Sequence, residues 1–295
     1  MLNRLKLTIY CIGPGDLKVE KKTILIEAVK KVIKEQDIDP KQFPLKLSQV
    51  AQNPDDAKQD VTKGLSDEDE LDDVIKVKPN SMYKVSDLKP SQKSMNIGKA
   101  MGMALSMILG KMKTGGDLGA FISNDRHIMD GHHRWVATTM VNPSAKVGGY
   151  AVDFPGTDLI RILNAITVGK LGITKGKEGT GGFDQFKEGP IRQELTNLAQ
   201  KGNKFFKPEE VIEALKKFTG EEGNAAIEAA VKKFTKHLGA VKFVVPQGAP
   251  DRVDMPVIDP DKVPGADKMT AKALSRGEVD WNKPQAPFAI LPKDK

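Results

Sequence analysis

The stretch "GAFISNDRHIMDGHHRWVATTMV", residues 119 to 141, constrains the fold more than any other part of this 295-residue chain. Two short extended runs flank Asn124-Asp125, a pair whose side chains favour turns, and Asp130-Gly131 ends the second run where a helical pattern begins. In "HHRWVATTMV" the apolar residues Trp135, Val136, Met140 and Val141 fall near one helical face, and Asn142-Pro143 stops the pattern. A hairpin that runs straight into a helix predicts mixed α/β (α+β) structure with a strand-to-helix turn at its centre.

The flanks extend that reading. "SMYKVSDLKPSQ" (81 to 92) predicts a short strand through Tyr83 and Val85 that breaks at Lys89-Pro90, because proline removes a ladder donor. "MNIGKAMGMALSMILGK" (95 to 111) is a helix whose methionines recur at core spacing, with Gly98 and Gly102 allowing close approach of a neighbour. "KVGGYAVDF" (146 to 154) is a further strand, and "GTDLIRILNAITVGKLG" a helix capped by Thr157 or Asp158. The basic, glycine-rich "GITKGKEGTGGF" (172 to 183) does not match G-x-x-x-x-G-K-[ST] and reads as a surface loop.

Four regions follow. Residues 1–75 form an accessory region with one amphipathic helix in "KKTILIEAVKKVIKEQ" and an acidic linker, and 76–175 form the compact α/β domain. Residues 176–245 are helical, and 246–295 form a proline-punctuated extended tail preceded by one short strand in "VKFVV".

Charge points to a polyanionic partner. The formal net charge is +7, yet "DEDELDD" (67 to 73) concentrates six carboxylates, so the rest of the chain carries +13. Lysine on solvated helix faces is the plainer explanation of the same excess. Aromatic residues make up only 5%, too sparse for a stacking platform along single-stranded nucleic acid. Cys11 is the only cysteine, which excludes an intrachain disulfide and a cysteine-based zinc site and suits a reducing compartment. The short apolar run Leu7 to Ile12 ends at Gly13-Pro14 without a cleavage pattern and reads as an ordinary first element. No apolar run approaches the roughly 20 residues of a membrane helix, so no membrane partner is expected.

"DRHIMDGHHRWVA" (125 to 137) holds three of the four histidines, and three readings of it stay open. A zinc or manganese site is one, with His127 and Asp130 joining one of the adjacent pair His132 and His133, whose rings diverge by about 100° on a helix. A structural turn is the second, with Asp130 capping the helix. Anion recognition is the third and explains more of the stretch. Free N–H groups and the helix dipole favour a phosphate, Gly131 removes a blocking Cβ, Arg134 offers a bidentate guanidinium, and a histidine can move a proton. Asp130 then bridges to a divalent ion, acts as a base or orients a histidine.

The box "IMDGHHRWVA", with "KVSDLKPSQ" about forty positions earlier and the helix "IGKAMGMAL", resembles the ParB/sulfiredoxin superfamily, especially the ParB-like domains common in bacteriophage genomes. The likeness covers about residues 80 to 170 and implies a compact domain with flanking helices, in which a Gly-x-x-Arg turn holds nucleotide phosphates. Members include partition proteins that bind and hydrolyse CTP on DNA, kinases of a free amino acid, sulfiredoxins and ParB-like nucleases. Gly131 and Arg134 match the phosphate-binding glycine and arginine. His132 stands where sulfiredoxins keep a reactive cysteine, which excludes their chemistry, and the box departs from the G-E-R-R form of partition proteins.

The function expected from residues and resemblance together is binding of a nucleoside triphosphate, CTP or ATP, with Mg²⁺. Gly131 and Arg134 bind phosphate; Asp130, His132 and His133 supply hydrolase, phosphotransfer or nuclease chemistry, Asp130 also as metal ligand. DNA is the second partner expected, and the cytoplasm of a bacterial or phage-infected cell the location. The alternatives are a non-catalytic DNA-binding adaptor and a phage virion-associated protein that keeps the domain as scaffold.

Overall fold

Strand alternation explains how the sheet is covered. In "GDLGAFI" the strand β3, Gly116–Ile122, sends Ala120 and Ile122 into one core cluster and Phe121 into a second. The computed structural model describes residues 40, 43–50, 74–177, 181–259 and 261–276, all within the compact unit Ile38–Lys295. The helix expected in residues 21–36 and the acidic run at 67–73 lie outside the described residues.

Four strands join β3 in one mixed sheet: β1 (Val77–Lys84), β2 (Lys89–Pro90), β4 (His127–Ile128) and β5 (Lys146–Val152). Their order is β1-β5-β3-β4-β2, with β1/β5 and β3/β4 antiparallel and β3/β5 and β2/β4 parallel. The predicted hairpin through Asn124-Asp125 is the β3–β4 connection. Lys89-Pro90, expected to break a strand, forms one instead. It occupies the edge of the sheet, where the missing proline N–H costs no ladder bond.

Close approach at the centre of the sheet dictates the pair Gly148-Gly149 in β5. Both neighbouring strands bulge toward it: the register shifts between Lys78 and Ser81 in β1 and between Asp117 and Ala120 in β3. Each bulge contains a left-handed residue, Asn80 with φ 54° and Gly119 with φ 65°. A Cβ at Gly148 would lie 1.8 Å from the Ser81 carbonyl oxygen, and one at Gly149 2.2 Å from that of Ala120.

Seven α-helices are found among the described residues. On one side lie α1 (Ile97–Ile108) and α2 (His132–Val141), backed by α4 (Glu188–Lys201), α5 (Pro208–Thr219) and α6 (Gly223–Leu238). Met95, Met101 and Met107 fill this core, as their spacing predicts, and Trp135 is its largest fully buried side chain. The Trp135 indole N–H donates to the Val85 carbonyl at 2.9 Å. The three later helices share the core with α1 and α2, so they are part of the domain and not a separate module.

The second core lies under α3 (Gly156–Gly169) and α7 (Ala266–Ser275). It corrects three expectations. Phe43 and Val50, from the region set aside as accessory, are buried in it, and Arg161 and Asn164 of α3 donate to the carbonyls of Phe43 and Leu45 at 2.6 and 3.1 Å. The tail is not simply extended, since α7 buries Ala273 and Leu274 there. Neither Thr157 nor Asp158 caps α3; the Gly156 N–H donates at 2.9 Å to Asp125 of the hairpin turn, while Thr157 donates to the Gln247 carbonyl. "VKFVV" is likewise not a strand. Phe243 there joins a ring cluster with Trp135, Phe183 and Phe186.

Overpacking the sheet centre should therefore be costly. Gly148→Ala is expected to lose about 3 kcal/mol of unfolding free energy in urea titration, whereas Gly182→Ala, in open space, should change it by less than about 0.5 kcal/mol.

Candidate functional site

The D-G-H-H-R turn sits where β4 ends and α2 begins. Gly131 is the N-cap residue of α2 with φ 78°, a left-handed conformation that costs other L-residues about 1–2 kcal/mol. A Cβ there would also come within 3.2 Å of Leu118 Cδ1. No side chain caps the helix. Asp130, a helix cap in one of the three readings, instead accepts from the adjacent Gly131 N–H at 2.6 Å and is exposed. The N–H groups of the first turn of α2 thus have no side-chain cap, and the one carboxylate at this end is held by the N-cap N–H.

The three clustered histidines converge on one link of backbone, Pro90 to Asn96, that joins β2 to α1. His127 Nδ1–H donates to the Pro90 carbonyl at 2.8 Å. His132 Nε2 accepts from the Ser91 N–H at 3.1 Å, and its ring also bonds the Ile128 carbonyl. His133 Nε2 accepts from the Asn96 N–H at 3.0 Å. An imidazole that accepts an N–H at one nitrogen must carry its proton on the other, which makes His132 and His133 neutral.

Electrostatics agree. Burial first, then the adjacent His133 ring and the Arg252 guanidinium, which disfavour a second positive charge, hold His132 down to about 3. Burial followed by Lys99, Arg252 and Lys177 takes His133 down to about 4. Burial also lowers His127, against the opposing pull of the Pro90 carbonyl and Asp125.

Beside the turn lies a cleft of about 560 Å³. Asp130, Gly131, His132, His133 and Arg134 line it with Lys99 of α1 and Arg252. Apolar wall is supplied by residues that include Phe121, Met129, Leu163 and Met255. Arg134 Nε is buried without a hydrogen-bond partner, and among the described residues Arg134 makes no ion pair. A buried donor without an acceptor, beside an uncapped helix N-terminus, is an arrangement that an anion would complete.

The structure thus brings together all five sequence-predicted residues, Asp130 to Arg134, but divides their work. Gly131 and Arg134 line the cleft with no side-chain partner of their own, whereas His132 and His133 spend ring nitrogens on backbone. Among the described residues no group of three or more histidine, cysteine or acidic side chains is placed to hold a metal ion, and Asp130 has no second carboxylate beside it in the turn. Sequence reasoning missed Lys99 and Arg252. Lys99 looked like one lysine among many, and Arg252 lies in a non-periodic stretch some 120 residues beyond the turn, so only folding reveals its proximity.

Compared with protein-family models, curated proteins and solved structures, the chain matches none. Among the described residues no helix is long and apolar enough to cross a membrane.

Neutral buried histidines make the fold acid-sensitive in a definite window. Unfolding raises His132 from about 3 to its ordinary 6.5, so the unfolded state binds more protons between these values. Stability is complete above pH 6.5 and is lost as pH falls toward 3, by up to about 1.4 kcal/mol per pH unit for one such histidine. His132→Gln should flatten this slope in denaturation curves recorded from pH 7 to 4. At pH 7 it should also cost about 1–3 kcal/mol, because the buried Ser91 N–H loses its acceptor.

Proposed function

We propose that this protein binds the phosphates of a nucleoside triphosphate, CTP or ATP with Mg²⁺, in the cleft at the N-terminus of α2, and acts on or at nucleic acid. The observation that carries the reading is Arg134, whose buried Nε has no partner next to the uncapped, left-handed Gly131 turn. A phosphate oxygen there would accept from Arg134 and from first-turn N–H groups of α2, with the helix dipole adding to the attraction. The resemblance of "IMDGHHRWVA" to ParB/sulfiredoxin-like domains assigns the same roles to Gly131 and Arg134.

The donor set suits Mg²⁺ only as a companion of phosphate. Asp130 would contribute one carboxylate, and phosphate oxygens and water the remaining ligands. Bound there, the ion would neutralise charge on the phosphates. The chain's own groups bind and orient: Arg134 and Lys99 offset negative charge, and the apolar wall excludes water from one side of the ligand. Acid–base work falls to Asp130 and His133, since the His132 ring is engaged by Ser91 and Ile128. The reducing cytoplasm of a bacterial or phage-infected cell is the setting that a single cysteine and a nucleotide ligand suit best. DNA remains the second partner proposed, on the strength of the +13 excess outside the acidic run.

Calorimetric titration with CTP, ATP and GTP, with and without Mg²⁺, tests the reading. Wild type should bind at least one of them, more tightly with Mg²⁺, and Arg134→Gln should weaken that binding at least tenfold while leaving the melting temperature within a few degrees. Folded wild type that binds none of the three overturns it.

A further inference from the structure

Arg252 stands out among the cleft's cations because the chain delivers it from far away and leaves it unpaired. It lies in the 3₁₀ turn Arg252–Asp254, within the segment that runs from Asp251 to Ile258 along the cleft wall. That strap is held by an exposed Lys93–Asp251 ion pair at 3.8 Å, by the Ser48 N–H donating to Asp254 and the Val257 N–H to the Lys175 carbonyl, each at 3.1 Å, and by close approach of Gly176 to the Val253 carbonyl. Between the holds at Asp251 and Val253, Arg252 brings its half-buried guanidinium to the cleft beside the D-G-H-H-R turn. Its one hydrogen bond is long, 3.5 Å to the Met255 carbonyl.

No carboxylate lies within ion-pair distance of Arg252 among the described residues. The anionic group that acts on it is Asp130, which offsets part of the burial penalty on the guanidinium. Conversely, its positive charge is felt at both His132 and His133. Arg252, Asp130, the two histidines and Arg134 therefore surround one space, and all five line the same cleft. A partly desolvated guanidinium opposite a single exposed carboxylate is under-compensated, and a phosphate, with more charge and more acceptor oxygens, suits its planar fork better.

We propose that Arg252 is a second anion-binding arginine of this cleft, carried by the strap and held toward Asp130 until a ligand phosphate takes the carboxylate's place, so that the strap closes on the bound anion. The inference rests on the reading of the cleft as a phosphate site and adds to it a residue outside the D-G-H-H-R box, with a moving element attached. Asp130 then acts as a positioning residue for Arg252 in the empty site. Two arginines from different elements of the wall, Arg134 on α2 and Arg252 on the strap, favour an elongated polyphosphate over a single phosphate, because each guanidinium can engage a different phosphoryl group.

Two probes separate this inference from the one it rests on: inorganic pyrophosphate without Mg²⁺, and ATP with Mg²⁺. Each is titrated into wild type, Arg134→Gln, Arg252→Gln, Arg252→Lys and Asp130→Asn, with melting curves confirming that each variant is folded. Arg252→Gln should weaken pyrophosphate binding about tenfold and Arg252→Lys less, while Asp130→Asn should tighten Mg²⁺-free pyrophosphate binding severalfold by removing the competing carboxylate. Hydrogen exchange should show residues 251–258 protected on ligand binding in wild type but not in Arg252→Gln. If wild type binds neither probe, the phosphate reading itself fails and takes this inference with it. If wild type binds, Arg134→Gln does not, and Arg252→Gln binds as wild type does without altering strap exchange, the second arginine alone is refuted. Unchanged or weaker Mg²⁺-free binding by Asp130→Asn refutes the exchange.

Discussion

Three imidazole rings gripping one short piece of backbone hold the site region in place. Pro90 to Asn96 joins the edge strand β2 to α1, and its carbonyl and N–H groups meet His127, His132 and His133 in turn. The segment contains buried Ser91 and Gln92, so its polar groups lie away from water and need protein partners. Because two of the rings belong to the first turn of α2, the clasp also fixes that turn against α1. It leaves the N–H end of α2 facing the cleft and not the core.

A histidine in such a role is a neutral hydrogen-bonding spacer. It differs from a serine or asparagine in reach, since a ring spans the distance between a helix turn and a neighbouring strand without a mobile side chain. The groups lining the cleft that the clasp leaves free include Gly131, Arg134, Asp130 and the cations that arrive from α1 and the strap. Lining the cleft and clasping the backbone are thus divided among the members of one pentapeptide, the adjacent histidines serving the clasp.

Much of this architecture was legible in the sequence. The β3–β4 turn, α2 with its Trp135 face, the methionine core of α1 and the three helices between 188 and 238 follow from periodicity and turn chemistry, which act locally. Three of the misreadings involve partners distant in sequence. Pro90 forms a strand because it lies at the sheet's edge, Asp125 caps α3 across 31 residues, and Phe243 leaves a strand-like run to join a ring cluster. At the site, the D-G-H-H-R box singled out in the sequence lines the cleft. Which histidine nitrogens are free, and that Arg252 arrives beside them, depend on contacts across 37 to 41 residues and more than a hundred residues respectively, which no local pattern encodes.

The order in which the wall pieces occur along the chain has a consequence for synthesis. Gln92 to Arg134 and the α3 residues are made first, and the strap and α7, which complete the cleft, are among the last described segments to leave the ribosome. Until then the second core lacks Ala273 and Leu274, and the underside of the sheet around Phe121 is without part of its cover. A nascent chain therefore has the α2 turn with Arg134 in place before Arg252 is present, so a ribosome-bound chain and the finished protein present two different surfaces around that turn.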